Sequence, residues 1–275
     1  MSSLPLQVKN EEASAVFITR FIQEFKFKLC INEHEKQLAY RLRHDVYCEE
    51  LQYEEASDPI KKLEFDVYDQ NSIHCLIEHR RTGLVAGCVR VVIPQPSSPH
   101  PLNQLPLQSY GNQSLTHAEL HPDKLDQGSY YEISRLAVNR LFRTRLKDSS
   151  TSLESSSTSQ NNTFFSTEEK QLFPLLATGL FITGYALGRQ LGKIQVFAMM
   201  EPSLPRLLAL TGFHFTKVGE TINFHGRRSA YYINKQQAES GLKKALLPLY
   251  LHIQQTLAFQ LEEMLAQDVS TSLIT

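Results

Sequence analysis

Y-Y-E-I-S-R-L-A-V-N-R-L-F-R-T-R, residues Tyr130–Arg145, is the stretch around which the rest of this chain can be ordered. Its first part is spaced like a strand buried on one side, with Ile133, Leu136 and Val138 among short polar residues. Its second part places Arg140, Arg143 and Arg145 within six residues. A carboxylate, Glu132, on a central strand that runs into an arginine-rich turn and later a helix points to an acid/base group beside an anion site.

Working outward, Phe25 to Ile31 alternate apolar and polar, which predicts a first strand after a polar, frayed segment 1–24. Asn32 is placed to cap a helix that carries Leu38, Leu42 and Val46 on one face. Asp58-Pro59 breaks that helix, and Lys61 to Asp69 reads as a loop centred on Asp66. Ser72 to Glu78 and Leu84 to Ile93 make a hairpin about Arg80-Arg81-Thr82-Gly83. Five prolines between Pro94 and Pro106 forbid regular structure there and leave a surface excursion over a cleft as one option.

Beyond the central strand, the Ser, Thr, Asn and Gln of 147–167 predict a mobile loop. Glu168 to Leu191 has helical periodicity, with Gly179, Gly184 and Gly188 thinning one side for close packing. Ile194 to Met199 suits a covered strand, Pro202 to Leu210 a short helix, and His214 to Ile233 two strands about H-G-R-R. From Leu242 to Leu265 an apolar stripe predicts an amphipathic C-terminal helix, kinked or divided at Pro248. This order predicts an α/β fold, with a mixed, mostly antiparallel sheet flanked by helices. The divisions are a polar segment 1–24, one domain 25–234 and a helical extension 235–275, whose stripe offers a homodimer contact.

Bulk properties narrow the function. The 275 residues, 41% hydrophobic, can bury one substantial core, and a formal charge of −1 gives no chain-wide attraction to nucleic acid or anionic membrane. Cys30, Cys48, Cys75 and Cys88 lack paired spacing, no signal-like run opens the sequence, and no segment approaches the ~20 uninterrupted apolar residues of a membrane span. A reducing cytoplasm is the expectation. The ten histidines and four cysteines show no metal spacing, so no structural or catalytic zinc is expected.

In this order of elements the chain resembles acyltransferases of the acetyltransferase (GNAT) superfamily from about Leu29 to Ile233. It is similar in particular to the PEP-CTERM/exosortase system-associated acyltransferases, relatives of the N-acyl amino acid synthases and acyl-homoserine-lactone synthases. Arg43, Tyr47 and Tyr53 are spaced like the Arg, Phe and Trp that shape the substrate pocket of homoserine-lactone synthases. The E-F-D of Glu64–Asp66, the G-C-V-R ending at Arg90 and the E-I-S-R of Glu132–Arg135 follow in the same order. The M-E-P from Met200 and the H-G-R-R from His225 look like the exosortase-associated branch. N-R-L-F-R-T-R stands where the superfamily has a glycine-rich acyl-CoA loop.

The resemblance implies direct attack of a primary amine on a thioester, with no covalent enzyme intermediate and no permanently bound cofactor. Glu132 is then the expected base. The acceptor contacts are Arg43, Tyr47, Tyr53, Asp66, Arg90, Arg135, His225 and Arg227. Leu136, Val138, Arg140, Arg143 and Arg145 would hold the donor, an acyl carrier protein or coenzyme A thioester, and the acceptor is expected to be an amino acid. Two other readings stay open: a homoserine-lactone synthase using S-adenosylmethionine, and an acyl-carrier-binding relative without turnover. For Glu132 a plain ion pair with Arg135 or Arg90 competes with the catalytic role, and for the arginine turn a solvated surface competes with anion binding.

Overall fold

The computed structural model describes residues 6–143 and 164–272. Arg145 and most of the segment 147–167 lie outside them. In chain order the elements are α1 (Leu6–Glu24), β1 (Phe25–Leu29), α2 (Glu33–Arg43), β2 (Ser72–His79), β3 (Val85–Val92), α3 (Pro106–Gly111), β4 (Tyr130–Val138), α4 (Thr167–Leu172), α5 (Leu176–Gln190), β5 (Gln195–Met200), α6 (Ser203–Ala209), β6 (Thr216–Lys217), β7 (Ile222–Asn223), β8 (Arg227–Asn234), α7 (Lys235–Gly241) and α8 (Leu247–Ser272). One mixed sheet runs β1-β2-β3-β4-β5-β8-β6, with β7 added to β8. Only β4 and β5 pair in parallel among these strands; the other pairings are antiparallel.

The sheet is covered on one side by α1, α5 and α8 and on the other, over β2 and β3, by α2. Period-2 alternation sorts the strands between the faces: Cys75 and Ile77 pack under α5 while Leu76 packs with Leu42 of α2 and with Val46 just beyond it. In β4, Tyr131 and Ile133 likewise face the large core, which leaves Glu132 on the other face. Gly188 of α5 permits the closest of these contacts, because a Cβ there would lie 2.1 Å from the Tyr131 ring.

The run Thr167–Gln190 is long and apolar enough to cross a membrane by composition, yet 78% of its most apolar window is buried in this core. Its apolar character is explained by contact with the sheet below and α8 beside it.

Several expectations are corrected. The segment 1–24 is not frayed throughout: α1 occupies Leu6–Glu24 and buries Ile18 and Phe21 completely or nearly so. These two side chains pack against the sheet together with Phe17 and Ile22, and the reading of the segment as polar passes over this apolar group. Pro248 does not divide the last helix but sits in the first turn of α8, where the amide hydrogen that proline lacks has no helical partner to lose. Leu246, Leu249, Ile253, Leu257 and Leu261 bury the predicted stripe, whereas Leu265 is exposed. Helix α2 also continues past Arg43 into a wider π-helical stretch, His44–Glu50.

Gly188→Ala should cost about 1–3 kcal/mol or more by overpacking against Tyr131, read as a lower urea midpoint at unchanged slope. Equal midpoints would mean that α5 and β4 can separate freely.

Candidate active site

The site forms where β4 and β5 part company. Their ladder has three pairs, Tyr130↔Gln195, Tyr131↔Val196 and Glu132↔Phe197, after which β4 continues with β3 and β5 with β8. Glu132 therefore stands at the last paired position, at the head of a wedge between two strands.

Just beyond, β4 carries a bulge. Arg90 pairs with Ser134 and Cys88 with Ala137, so Arg135 and Leu136 together face the single residue Val89. Arg135 takes φ +50° to make this turn. The extra residue shifts the alternation by one, which is why Leu136 and Val138, not Arg135 and Ala137, follow Ile133 onto the large-core side. It also lets both Ser134 and Arg135 line the pocket.

That pocket has about 580 Å³ of open space and is walled by Glu132, Ser134 and Arg135 of β4, Arg90 of β3, Leu107 and Tyr110 of α3, Tyr47 and Tyr53. Met199, Phe224, His225 and Arg228 close the side toward β5 and β8. A second, more open cleft continues from it past Glu54, Glu64 and Asp66.

Beneath the pocket lies a buried charge network. Arg43 donates from Nε to Glu64 at 2.5 Å and through both terminal nitrogens to Asp69 at 2.7 and 3.0 Å. Arg90 donates from one terminal nitrogen to Asp66 at 2.6 Å and Asp69 at 2.9 Å, and from Nε to Ser134 Oγ at 3.0 Å. Arg135 reaches Glu64, Asp66 and Glu54 at 2.9–3.2 Å. The turn Val67–Asn71 holds two of these carboxylates in place: Asp66 accepts from Tyr68 N–H, and Asp69 accepts from Asp66 N–H at 2.6 Å. Arg43 and Arg90 beside Asp69 offset its burial and hold its carboxyl well below the usual range.

The second terminal nitrogen of Arg90, Nη2, is buried and has no hydrogen-bond partner among the described residues. Buried guanidinium hydrogens are rarely left unpaired, and this residue lines the pocket.

Glu132 is 2% exposed and accepts one hydrogen bond, from Leu107 N–H at 2.9 Å. No salt bridge joins it to Arg90 or Arg135, both of which are engaged elsewhere among the described residues. The ion-pair alternative for Glu132 is therefore not what this structure adopts. Burial pushes its pKa up to about 7, against the smaller lowering influence of Leu107 N–H, Arg90 and Arg135.

Most residues proposed from sequence for the acceptor converge here. Tyr47, Tyr53, Arg90, Arg135 and His225 line the pocket, Asp66 lines the adjoining cleft, and Arg43 sits behind both in the charge network. Tyr47 also donates to the Leu136 carbonyl at 2.9 Å, tying the π-helical stretch to the bulge. Arg227 is a correction: it is exposed and lines neither pocket nor cleft, while its neighbour Arg228 lines the pocket and lies 5.6 Å from the Tyr53 ring centroid. Adjacent strand residues face opposite sides, and β8 turns the second arginine inward.

The donor set is more scattered. Leu136 and Val138 pack partly buried against the main core, Arg140 is exposed, and Arg143 pairs with Glu50 at the surface. None of these four lines the pocket. Arg145 lies outside the described residues.

Sequence reasoning missed Asp69, Glu54, Tyr110 and Phe224. For Asp69 a signal existed, since D-x-x-D from Asp66 to Asp69 is a reciprocal cap. Met199, at the end of the covered strand that the sequence predicts, packs half-buried against a core cluster and also forms part of the pocket wall.

Known proteins share this arrangement of strands and helices. Residues 42–150 match the family described as acetyltransferase (GNAT) domain. Among solved structures, TofI, in a ternary complex with an inhibitor and MTA, is 18% identical over 81% of this chain and 99% of its own, with a TM-score of 0.54. FeeM, an N-acyl amino acid synthase from uncultured soil microbes, is 14% identical over 80% and 96%, with a TM-score of 0.52. The AHL synthase LasI is 15% identical over 80% and 95%, with a TM-score of 0.50. No curated protein sequence matches the chain. The chain thus has the GNAT fold, with a C-terminal helix packed on it.

Two outcomes follow for the site. Folding raises the Glu132 pKa above its ordinary value of 4.5, so the fold favours the protonated acid. That contribution to stability is complete below the ordinary value and disappears as pH rises through about 7. Glu132→Gln keeps an acceptor for Leu107 N–H without the charge, so its stability relative to the parent should rise between about pH 5 and about pH 8 in urea melts. A difference independent of pH would mean an ordinary carboxyl. Asp69→Asn, which leaves two buried guanidiniums short of their partner, should cost about 3–5 kcal/mol, measured as a fall in thermal midpoint; loss of less than about 1 kcal/mol would show that the network relaxes.

Proposed function

We propose that this chain is a cytoplasmic N-acyltransferase that moves a medium- or long-chain fatty acyl group from an acyl carrier protein or coenzyme A thioester to the primary amine of an amino acid. The observation that carries this reading is Glu132, buried in a pocket at the parting of β4 and β5 with its pKa raised to about 7. A carboxylate poised near neutral pH suits removal of a proton from an ammonium group.

The amine nitrogen then attacks the thioester carbonyl carbon, the C–S bond breaks, and the released thiolate takes up a proton. Both reactants lie in one cleft, so no enzyme-bound acyl group is needed. Backbone N–H groups freed where β4 leaves β5 would be donors for the tetrahedral oxyanion. The unpaired Nη2 of Arg90, with Arg228 across the pocket, supports an acceptor that carries a carboxylate. The likeness to FeeM supports the same acceptor class. The M-E-P and H-G-R-R stretches support assignment to an exosortase-associated system.

Arg140, Arg143 and Arg145 would meet the phosphate of the pantetheine arm or an acidic carrier surface. Replacing Arg143 and Arg145 by Ala should weaken donor affinity far more at low than at high ionic strength. Equal affinity at low ionic strength would remove the turn from the donor site.

The deciding test is lipid mass spectrometry of cells that express the parent or Glu132→Gln, with purified-enzyme kinetics alongside. The parent should accumulate N-acyl amino acids, and kcat/KM should rise with pH to a plateau above an inflection near 7. Glu132→Gln, still folded, should lose about 10²–10⁴-fold in turnover. Full turnover by that variant would assign the base to another group.

A further inference from the structure

Away from the pocket, three ligand-type side chains from distant parts of the chain meet at the outer end of β2. They are Glu24 at the end of α1, His79 at the end of β2 and Glu169 in α4, and one ligand atom of each lies within 4.8 Å of the others. His79 is fully buried, and its Nε2 has no hydrogen-bond partner among the described residues although it faces both carboxylates. It stands 3.3 Å from Glu169 Oε1 and 4.0 Å from Glu24 Oε2.

From these contacts we propose that Glu24, His79 and Glu169 bind one divalent transition-metal ion, zinc by preference, as a clip between α1, the β2–β3 hairpin and α4. Zn–N and Zn–O bonds of about 2.0–2.1 Å at tetrahedral angles separate ligand atoms by about 3.3–3.4 Å. The His79–Glu169 separation of 3.3 Å already has that value, and Glu24, 4.0 Å from His79 and within 4.8 Å of Glu169, needs to close by more than about half an ångström. Imidazole with two carboxylates selects zinc and its neighbours over calcium or magnesium, which take oxygen ligands alone.

The surroundings are those of a held ligand set. Phe25, Phe142 and Phe165 fix the imidazole, with ring centroids 5.2–5.7 Å away. His79 Nδ1 is 3.0 Å from Thr82 Oγ1, so a hydrogen placed there leaves the Nε2 lone pair pointing at the cluster. Burial lowers the pKa of the imidazole against the raising influence of Glu169 and Glu24, the direction that favours the neutral form a ligand needs. Glu169 accepts from Ser166 N–H at 2.6 Å and pairs with Arg81 at 2.6 and 3.0 Å. Arg81 is half-exposed, and the ion would displace it from Glu169 into solvent. The fourth position of the metal is left to water, reached past the partly exposed Glu24.

The three positions, 24, 79 and 169, have no motif spacing, so the cluster exists only in the folded chain. None of the three lines the pocket, and the inferred role is structural.

The test uses the full chain, stripped with a chelator and titrated with zinc chloride while thermal midpoint and bound metal are measured. One zinc per chain and a rise of at least about 2 °C in Tm are expected. Glu24→Gln, altering the partly exposed ligand least able to disturb folding, should lower zinc affinity at least ~10-fold. Arg81→Ala, which frees Glu169, should raise it. Absence of binding, binding indifferent to Glu24→Gln, or weaker binding in Arg81→Ala would each overturn the proposal.

Discussion

The constraint on which this structure turns is the brevity of the β4–β5 ladder. Three residue pairs hold the two halves of the sheet together, and the strands then diverge. A sheet that stayed paired would satisfy its own backbone and leave no wedge. Divergence at Glu132 instead yields a cleft floored by strand backbone, with a carboxylate at its head. The packing that tolerates this is on the far side, where α5 lies close under Tyr131 and Ile133 and α8 closes the core beneath it.

Around that wedge the molecule separates two kinds of charge. The carboxylates of Glu64, Asp66 and Asp69 are tied to guanidiniums, and the two aspartates also to the amides of a capped turn, so they are paired and held in place. Glu132, on the pocket wall, is given a single amide and is almost wholly buried, so its charge is disfavoured. Environment, not residue type, divides these carboxyls into scaffold and candidate base. The bulge at Arg135 serves the same division, since it brings an arginine to the carboxylate network while keeping Ser134 on the pocket wall.

Much of this was legible in the linear chain because its physics is local. Strand and helix periods, the Asn32 cap and the apolar stripe of α8 depend on residues only a few positions apart. Even the bulge left a trace, in the step of three from Ile133 to Leu136 within an otherwise alternating strand. Helix α1 was passed over because the charged residues of its first half mask the apolar group Phe17, Ile18, Phe21 and Ile22, which gains its stabilisation only by burial against the sheet.

The sequence by itself determined the order of the main elements from β1 onward, the strand that carries Glu132 and the stretches whose residues meet at the pocket, because each is encoded by neighbouring side chains. Tertiary structure alone decided that Arg228 and not Arg227 turns inward, that Glu132 stands unpaired by any arginine among the described residues, and that residues 24, 79 and 169 come together. Those outcomes rest on which face a strand presents and on how closely distant segments approach. Both are set by the packing of the whole core, which no local pattern contains.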